Sequence, residues 1–362
     1  MTSAAPANLS LRSEDATEPA PVDTVLLDAS GIVVRYAVKS SGVTSSVTAV
    51  DGVDLRIRKG ETVGLVGESG CGKSTLGRAL IGLRPLHAGS VRIDSVELPL
   101  ASSRQMRSWR RRLQIIFQDP MSSLNPRLRV GTSVSEPVRS FGLRKGRMIA
   151  ERVEELMAEV GLPNDTAARF PKEFSGGQRQ RIAIARALAA EPDFVVCDEP
   201  VSALDVSVQA HVLALLERLK MEFGLTYLFI SHDLAVVRRI SDRVAVMYLG
   251  RIVEFADRDT LYENPRHPYT AALLSAAPIA DPAVERTRKR IVLTGDLPSP
   301  SAIPEGCPFH TRCFRYEQLG RPDRCTAERP VLAEVGGSEV ACHFPLDSSE
   351  QRAAPVVADR SM

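Results

Sequence analysis

One stretch constrains this chain more than any other: Gly67-Glu68-Ser69-Gly70-Cys71-Gly72-Lys73-Ser74, preceded by the apolar run Val63-Gly64-Leu65-Val66 and followed by Thr75-Leu76-Gly77-Arg78-Ala79-Leu80. The order predicts a strand, a glycine-rich loop and a helix. Gly67, Gly70 and Gly72 let backbone N–H groups turn inward around a polyphosphate, Lys73 reaches its β/γ oxygens, and the Ser74 hydroxyl can join a Mg²⁺ shell. The helix adds the positive end of its dipole. An ordinary glycine turn shares the letters but not the flanking strand and helix.

With 362 residues the chain can form one large or two modest domains, and 44% hydrophobic with 25% charged residues is an ordinary globular balance. A formal net charge of +2 gives no electrostatic case for nucleic acid, since binders of phosphate backbones carry a marked basic excess. The one dense basic run, Arg107 to Arg112, reads as a solvated helix face ahead of a phosphate or lipid contact. No stretch approaches the roughly 18 to 20 apolar residues needed to cross a bilayer. The start shows no charged segment followed by an apolar one, so a cytosolic chain is expected. Residues 1–23 and 346–362 read as disordered tails.

Between Val25 and Ile57 the pattern is β: Val53, Leu55 and Ile57 alternate with charged residues, predicting a small antiparallel sheet ahead of the nucleotide core. Tyr36, in its first strand, reads equally as a packed aromatic or as a platform for a nucleobase. Leu113 to Phe117 is a strand ending in Gln118-Asp119-Pro120, which places Gln118 where open α/β sheets put ligand-contacting groups. Ile149, Val153, Leu156, Met157 and Val160 define one face of a helix stopped at Gly161.

Phe174-Ser175-Gly176-Gly177-Gln178 opens another helix, either as a plain serine cap or as a second anion site. The strand Phe194 to Cys197 then delivers Asp198 and Glu199, adjacent acids suited to hold Mg²⁺ and to activate water. Ser202-Ala203-Leu204-Asp205 leads into an apolar-faced helix. After the strand Tyr227 to Ile230 comes His232, which reads as a structural histidine or as a catalytic one at the same sheet edge. Val244 to Tyr248 and Ile252 to Phe255 form a hairpin about Gly250.

The phosphate loop, Gln118, the FSGGQ run, Asp198-Glu199, Asp205 and His232, in that order, make this chain resemble the ATP-binding subunit of ABC transporters. Phe117 to Arg127, Asp198 to Ser207 and Arg266 to Ala276 resemble the oligopeptide/dipeptide importer branch. The resemblance implies an α/β fold: an ABC-type P-loop domain with an antiparallel β subdomain and an α-helical subdomain, plus a small Cys-rich C-terminal extension. It also implies roles. Lys73, Ser74 and Thr75 would hold phosphates and Mg²⁺, Asp198 would support the metal, and Gln118 would sense metal and water. Glu199 would be the general base, with His232 on the γ-phosphate. Ser175, Gly176 and Gly177 would bind ATP held by a partner, Asp205 would couple the two sites, and Tyr36 would stack on adenine.

One phosphate loop and one FSGGQ per chain imply a second ATP-binding subunit, identical or homologous. The resemblance also implies two transmembrane permease subunits, a periplasmic or lipid-anchored solute-binding protein, and a place on the cytoplasmic face of the membrane. The loop Gln118 to Arg127 is the expected permease contact, with Leu124 on its surface. The alternative is a non-transport ATPase of this superfamily. A DNA-maintenance chain would carry a long coiled coil between Ser74 and Ser175, where no heptads run, and a translation factor would carry two nucleotide cores.

Of six cysteines, Cys71 and Cys197 lie inside motifs and read as small residues, Cys71 in a loop within reach of thiol reagents. Cys307, Cys313, Cys325 and Cys342 are separated by 5, 11 and 16 residues, and in a cytosolic chain structural disulfides are not expected. Four thiolates suit zinc or an iron-sulfur cluster, though zinc sites favour paired C-x-x-C knuckles that are missing. The resemblance implies a 4Fe-4S cluster, with zinc as the alternative and His310 and His343 as substitute ligands. The expected domains are a nucleotide-binding domain over 24–256, its helical part about 120–190, and a four-cysteine extension over 257–345.

Overall fold

The computed structural model describes residues 24–40, 43–277, 290–299 and 301–347. The expected tail 1–23 lies outside the described residues, as does 348–362 of the expected tail 346–362, but Leu346 is buried and donates its N–H to the Arg266 carbonyl at 2.8 Å. In chain order, β1 (Val25–Ser40) and β2 (Val43–Arg58) form a long antiparallel pair before β3 (Thr62–Val66) and α1 (Lys73–Leu80). The next elements are β4 (Ala88–Ile93), β5 (Val96–Glu97), α2 (Met106–Arg112) and β6 (Leu113–Ile116). A helical stretch follows: α3 (Pro120–Ser123), α4 (Val130–Ser140), α5 (Met148–Glu159) and α6 (Gly176–Leu188).

The chain then alternates as β7 (Phe194–Asp198), α7 (Val206–Phe223), β8 (Thr226–Ile230), α8 (Leu234–Ile240), β9 (Arg243–Tyr248) and β10 (Arg251–Asp257). It closes with α9 (Arg258–Glu263), α10 (Pro268–Ala276), α11 (Phe314–Gln318), α12 (Arg324–Ala327), β11 (Ala333–Val335) and β12 (Ser338–Val340).

Among the described residues the strands form two sheets: a four-stranded one, β2-β1-β4-β5, and an eight-stranded one, β11-β12-β10-β9-β3-β8-β7-β6. In the larger sheet β9, β3, β8, β7 and β6 run parallel. Both faces of its central strands are covered, which is why they read as unbroken apolar runs. Phe194, Val196, Leu228 and Ile230 point to the core shared with the small sheet, while Val195, Cys197, Tyr227 and Phe229 point to the core under the helices.

Two local readings hold at the residue level. Gly161 follows α5 with φ 70, the left-handed conformation that ends helices. The basic run forms α2, largely exposed, with Arg111 paired to Glu191 and Arg112 to Asp94 and Asp193. Two features lie beyond what the letters mark. β6 lies at the sheet edge, and Pro120, which follows it, opens α3. The sheet also continues past the β9–β10 hairpin, because β12 pairs antiparallel with β10 and β11 with β12.

Candidate active site

β3 lies between β8 and β9, so the glycine-rich loop rises from the middle of the sheet at its carboxyl end, the usual ligand side of such sheets. Gly72 caps α1 with φ 108, and a Cβ there would meet the Ala49 carbonyl oxygen at 2.2 Å, so no other residue fits. No side chain caps this helix start, which leaves its N–H groups for an anion. Lys73 is 5% exposed and donates to the carbonyls of Gly67 (2.7 Å) and Glu68 (3.0 Å). Among the described residues no carboxylate pairs with it, so a buried cation is held by dipoles alone, a setting that favours an incoming anion.

The Ser74 hydroxyl donates to Asp198 Oδ1 at 2.6 Å, and Arg78 donates to the other oxygen at 3.1 Å. A serine hydroxyl and a carboxylate converging beneath a phosphate loop are the oxygen donors that Mg²⁺ takes, so these residues fit the metal expected with ATP. Asp198 pairs in register with Ile230, so the residues following β7 and β8 emerge side by side. There Glu199 Oε2 accepts from Gln118 Nε2 at 3.1 Å and lies 3.2 Å from His232 Nδ1. Three residues spread over 115 positions of sequence thus meet on one carboxylate oxygen. Glu199 itself has φ 49, a left-handed conformation that a non-glycine residue adopts at a cost.

Tyr36 stands at the loop's edge, its hydroxyl 3.1 Å from the Thr75 hydroxyl and its ring 5.5 Å beneath the Arg84 guanidinium. Ser175 caps α6 by accepting from Gln178 N–H, while the Gln178 side chain accepts from Ser175 N–H. Gly176 and Gly177 face the segment that starts α7: a Cβ on Gly177 would lie 2.4 Å from Val208 Cγ1. Asp205 caps α7 through the Val208 N–H, and its bonds to Ser207 and Val208 hold its carboxyl below the usual range. Ser175 makes its hydrogen bonds within its own helix start and not to the phosphate loop. Phe174 is buried, with the Arg169 guanidinium 4.4 Å over its ring.

The four late cysteines require a correction. Cys307, Cys313, Cys325 and Cys342 do line one small pocket of about 10 Å³, room for roughly a single water. Yet among the described residues no three His, Cys, Asp or Glu side chains stand where they could hold a metal ion. The expected iron-sulfur cluster, and zinc with it, are therefore withdrawn. Burial pushes the Cys307 thiol up to about 11 and those of Cys313 and Cys342 up to about 12, so without a metal they stay protonated at neutral pH. Of the substitute ligands, His310 Nδ1 lies on the Cys307 carbonyl and His343 Nε2 on the Glu328 carbonyl, each at 2.8 Å. The segment builds its order from apolar burial instead: Phe309, 1% exposed, sits against Tyr248 and Tyr269 at ring distances of 5.3 and 5.4 Å.

Two smaller expectations also change. Leu124 is 2% exposed and faces the helical core, while the exposed part of its loop is Asn125 to Arg129. Cys71 is 2% exposed, out of easy reach of reagents. Sequence reading missed Arg78 on Asp198 and Arg84 over Tyr36, although both follow the loop closely. It also missed Tyr269 and Arg312, which reach Glu68 from the far end of the chain. Among the described residues no helix is long and apolar enough to cross a membrane.

This geometry defines a P-loop nucleoside triphosphatase. A family model described as ABC transporter matches residues 50–202, and one described as the C-terminal region of oligopeptide/dipeptide transporters matches residues 253–318. The chain belongs to the ABC transporter family, in its oligopeptide/dipeptide group of ATP-binding proteins. It is 51% identical over 300 residues to the oligopeptide transport ATP-binding protein AppF of Bacillus subtilis (strain 168), covering 82% of this chain and 90% of that one. It is 48% identical over 324 residues to OppF of Salmonella typhimurium (strain LT2), covering 88% and 96%. A solved dimeric structure of MJ0796, a bacterial ABC transporter cassette, is 29% identical with TM-score 0.58, covering 64% of this chain and 99% of that one. The DNA-maintenance and translation-factor alternative is not favoured, since the longest helix between Ser74 and Ser175 has 12 residues and these relatives are transport proteins.

Proposed function

We propose that this chain hydrolyses ATP to drive import of peptides through a membrane permease. The convergence of Gln118 and His232 on Glu199 beside the phosphate loop carries the reading. Glu199 accepts the proton of the attacking water, Gln118 orients that water and the metal, and His232 steadies the γ-phosphate. Lys73, Thr75 and the N–H groups at Gly67, Gly70 and Gly72 hold the polyphosphate, while Tyr36 offers its ring to adenine. Ser74, Gln118 and Asp198 would hold Mg²⁺, which when bound would supply neutralisation of phosphate charge.

Ser175, Gly176 and Gly177 serve a second nucleotide-binding subunit, identical or homologous, with Asp205 at the boundary between the two sites. Residues 24–256 form the nucleotide-binding domain and 257–345 a C-terminal extension. The subunit sits on the cytoplasmic face of the membrane with two permease subunits, which Asn125 to Arg129 would meet, and works with a solute-binding protein. The names of the relatives support peptides as the cargo.

Glu199→Gln tests the chemistry. It keeps the side-chain shape but removes the base, so ATP binding persists while hydrolysis by the assembled transporter falls at least about a hundredfold. Turnover near that of the unmodified chain would refute the assignment.

A further inference from the structure

Glu68, the second residue of the phosphate loop, is held at three points beyond the Cys71 N–H that its carbonyl also accepts. Its carbonyl accepts from Lys73 Nζ at 3.0 Å, its N–H donates to the Tyr269 hydroxyl at 2.9 Å, and its carboxylate takes both arms of the Arg312 guanidinium at 2.9 and 3.1 Å. The first bond fixes the lysine that meets phosphate. The other two come from the C-terminal segment, 201 and 244 residues away. We infer that Arg312 is a positioning residue of the nucleotide site, acting through Glu68 on Lys73, with Tyr269 bracing the same loop residue; this rests on the ATP-site reading above.

Arg312 is a fixed anchor. It closes a 3₁₀ turn, His310–Arg312, directly after Phe309, which is held between Tyr248 and Tyr269. Its side chain is 10% exposed and that of Glu68 25%, so the pair is shielded from most of the solvent that weakens surface ion pairs. A two-armed guanidinium–carboxylate contact fixes direction as well as distance. It holds the Glu68 backbone, and with it the carbonyl on which the Lys73 ammonium rests.

The contact has an electrostatic side as well. An unpaired Glu68 carboxylate beside the loop would compete with phosphate for Lys73 and repel the polyphosphate, and the Arg312 charge removes that penalty. Both effects weaken nucleotide binding when Arg312 is lost, without touching the Gln118–Glu199–His232 cluster. A purely structural arginine would instead lower thermal stability and leave the affinity of the folded fraction unchanged.

The test is titration of the full-length chain with a fluorescent ATP analogue and Mg²⁺, beside thermal melts. Arg312→Ala is expected to weaken binding roughly five- to tenfold, the range of a modest coupling between sites. Arg312→Lys, which keeps the charge but gives up one arm, recovers part of it. Glu68→Gln also weakens binding, and the double variant Arg312→Ala/Glu68→Gln is no weaker than Arg312→Ala alone, because one residue acts through the other. Affinity within about twofold of the unmodified chain for Arg312→Ala, or effects that multiply in the double variant, would overturn the inference. Should Arg312→Ala fail to fold, Arg312→Lys decides: weaker binding supports the coupling, and unchanged binding ends it. Lys73→Ala separates the two readings. Lost binding there with Arg312→Ala unaffected removes the coupling alone, whereas retained binding in Lys73→Ala removes the ATP-site reading itself.

Discussion

At the scale of single residues, the chain accepts local cost where it places its chemistry. Glu199 holds a left-handed backbone at φ 49 so that its carboxylate can meet Gln118 and His232. Glycine adopts that conformation freely, whereas alanine is strained by it. Glu199→Gly should therefore be about 1 kcal/mol more stable than Glu199→Ala, although both lose the carboxylate proposed as the base. Chemical denaturation of the two variants measures this difference, and an alanine variant equal to or above the glycine one would show that the backbone there is relaxed. The same residue marks what the sequence could and could not convey. That an acid follows the buried strand Phe194 to Cys197 is legible in the letters; that its backbone turns left-handed is not, because the strain is imposed by packing around it.

At the scale of elements, most strands and helices follow from periodicity, and the misses have one cause. Helix α5 with Gly161 behind it, and the apolar strands β7 and β8, depend on neighbours close in sequence. The placement of β6 at an edge, the joining of β12 to β10 and the reach of Arg312 to Glu68 depend on partners up to 244 residues away. No local pattern encodes them. Helix α10 shows what such a partner controls. His267 Nδ1 caps it by accepting from the Tyr269 N–H at 3.0 Å, and burial pushes the imidazole down from 6.5 to about 3.

The unfolded chain takes up a proton that the folded chain refuses, so this stability is present above pH 6.5 and drains away as pH falls toward about 3. The slope is roughly 1.4 kcal/mol per pH unit at most. Asparagine keeps a capping oxygen and cannot titrate. Melting temperatures taken between pH 7.5 and 5 should fall more steeply for the unmodified chain than for His267→Asn, and parallel curves would show that His267 is charged in the fold. Since α10 carries Tyr269, acid should also loosen the brace on Glu68.

At the scale of the whole molecule, one chain carries a complete phosphate loop and a glycine-rich helix start whose hydrogen bonds stay local. In the proposed reading, a second nucleotide-binding chain would bring the two together. Ser175→Arg, made in a Glu199→Gln background, should keep ATP binding and lose ATP-driven pairing in size-exclusion chromatography; full pairing would break the shared-site reading. The β11–β12 hairpin has a separate bearing on solution behaviour. β10 is seven residues long, and β12 covers Glu254 to Ala256 at its middle, leaving a three-residue strand outermost. Short outer strands are poor templates for another chain. A protease nick or a premature stop that removes residues after about Arg329 would uncover β10 and turn a well-behaved subunit into one that sticks to its own copies and is cleared by the cell's quality control, even though every residue that meets ATP is still in place.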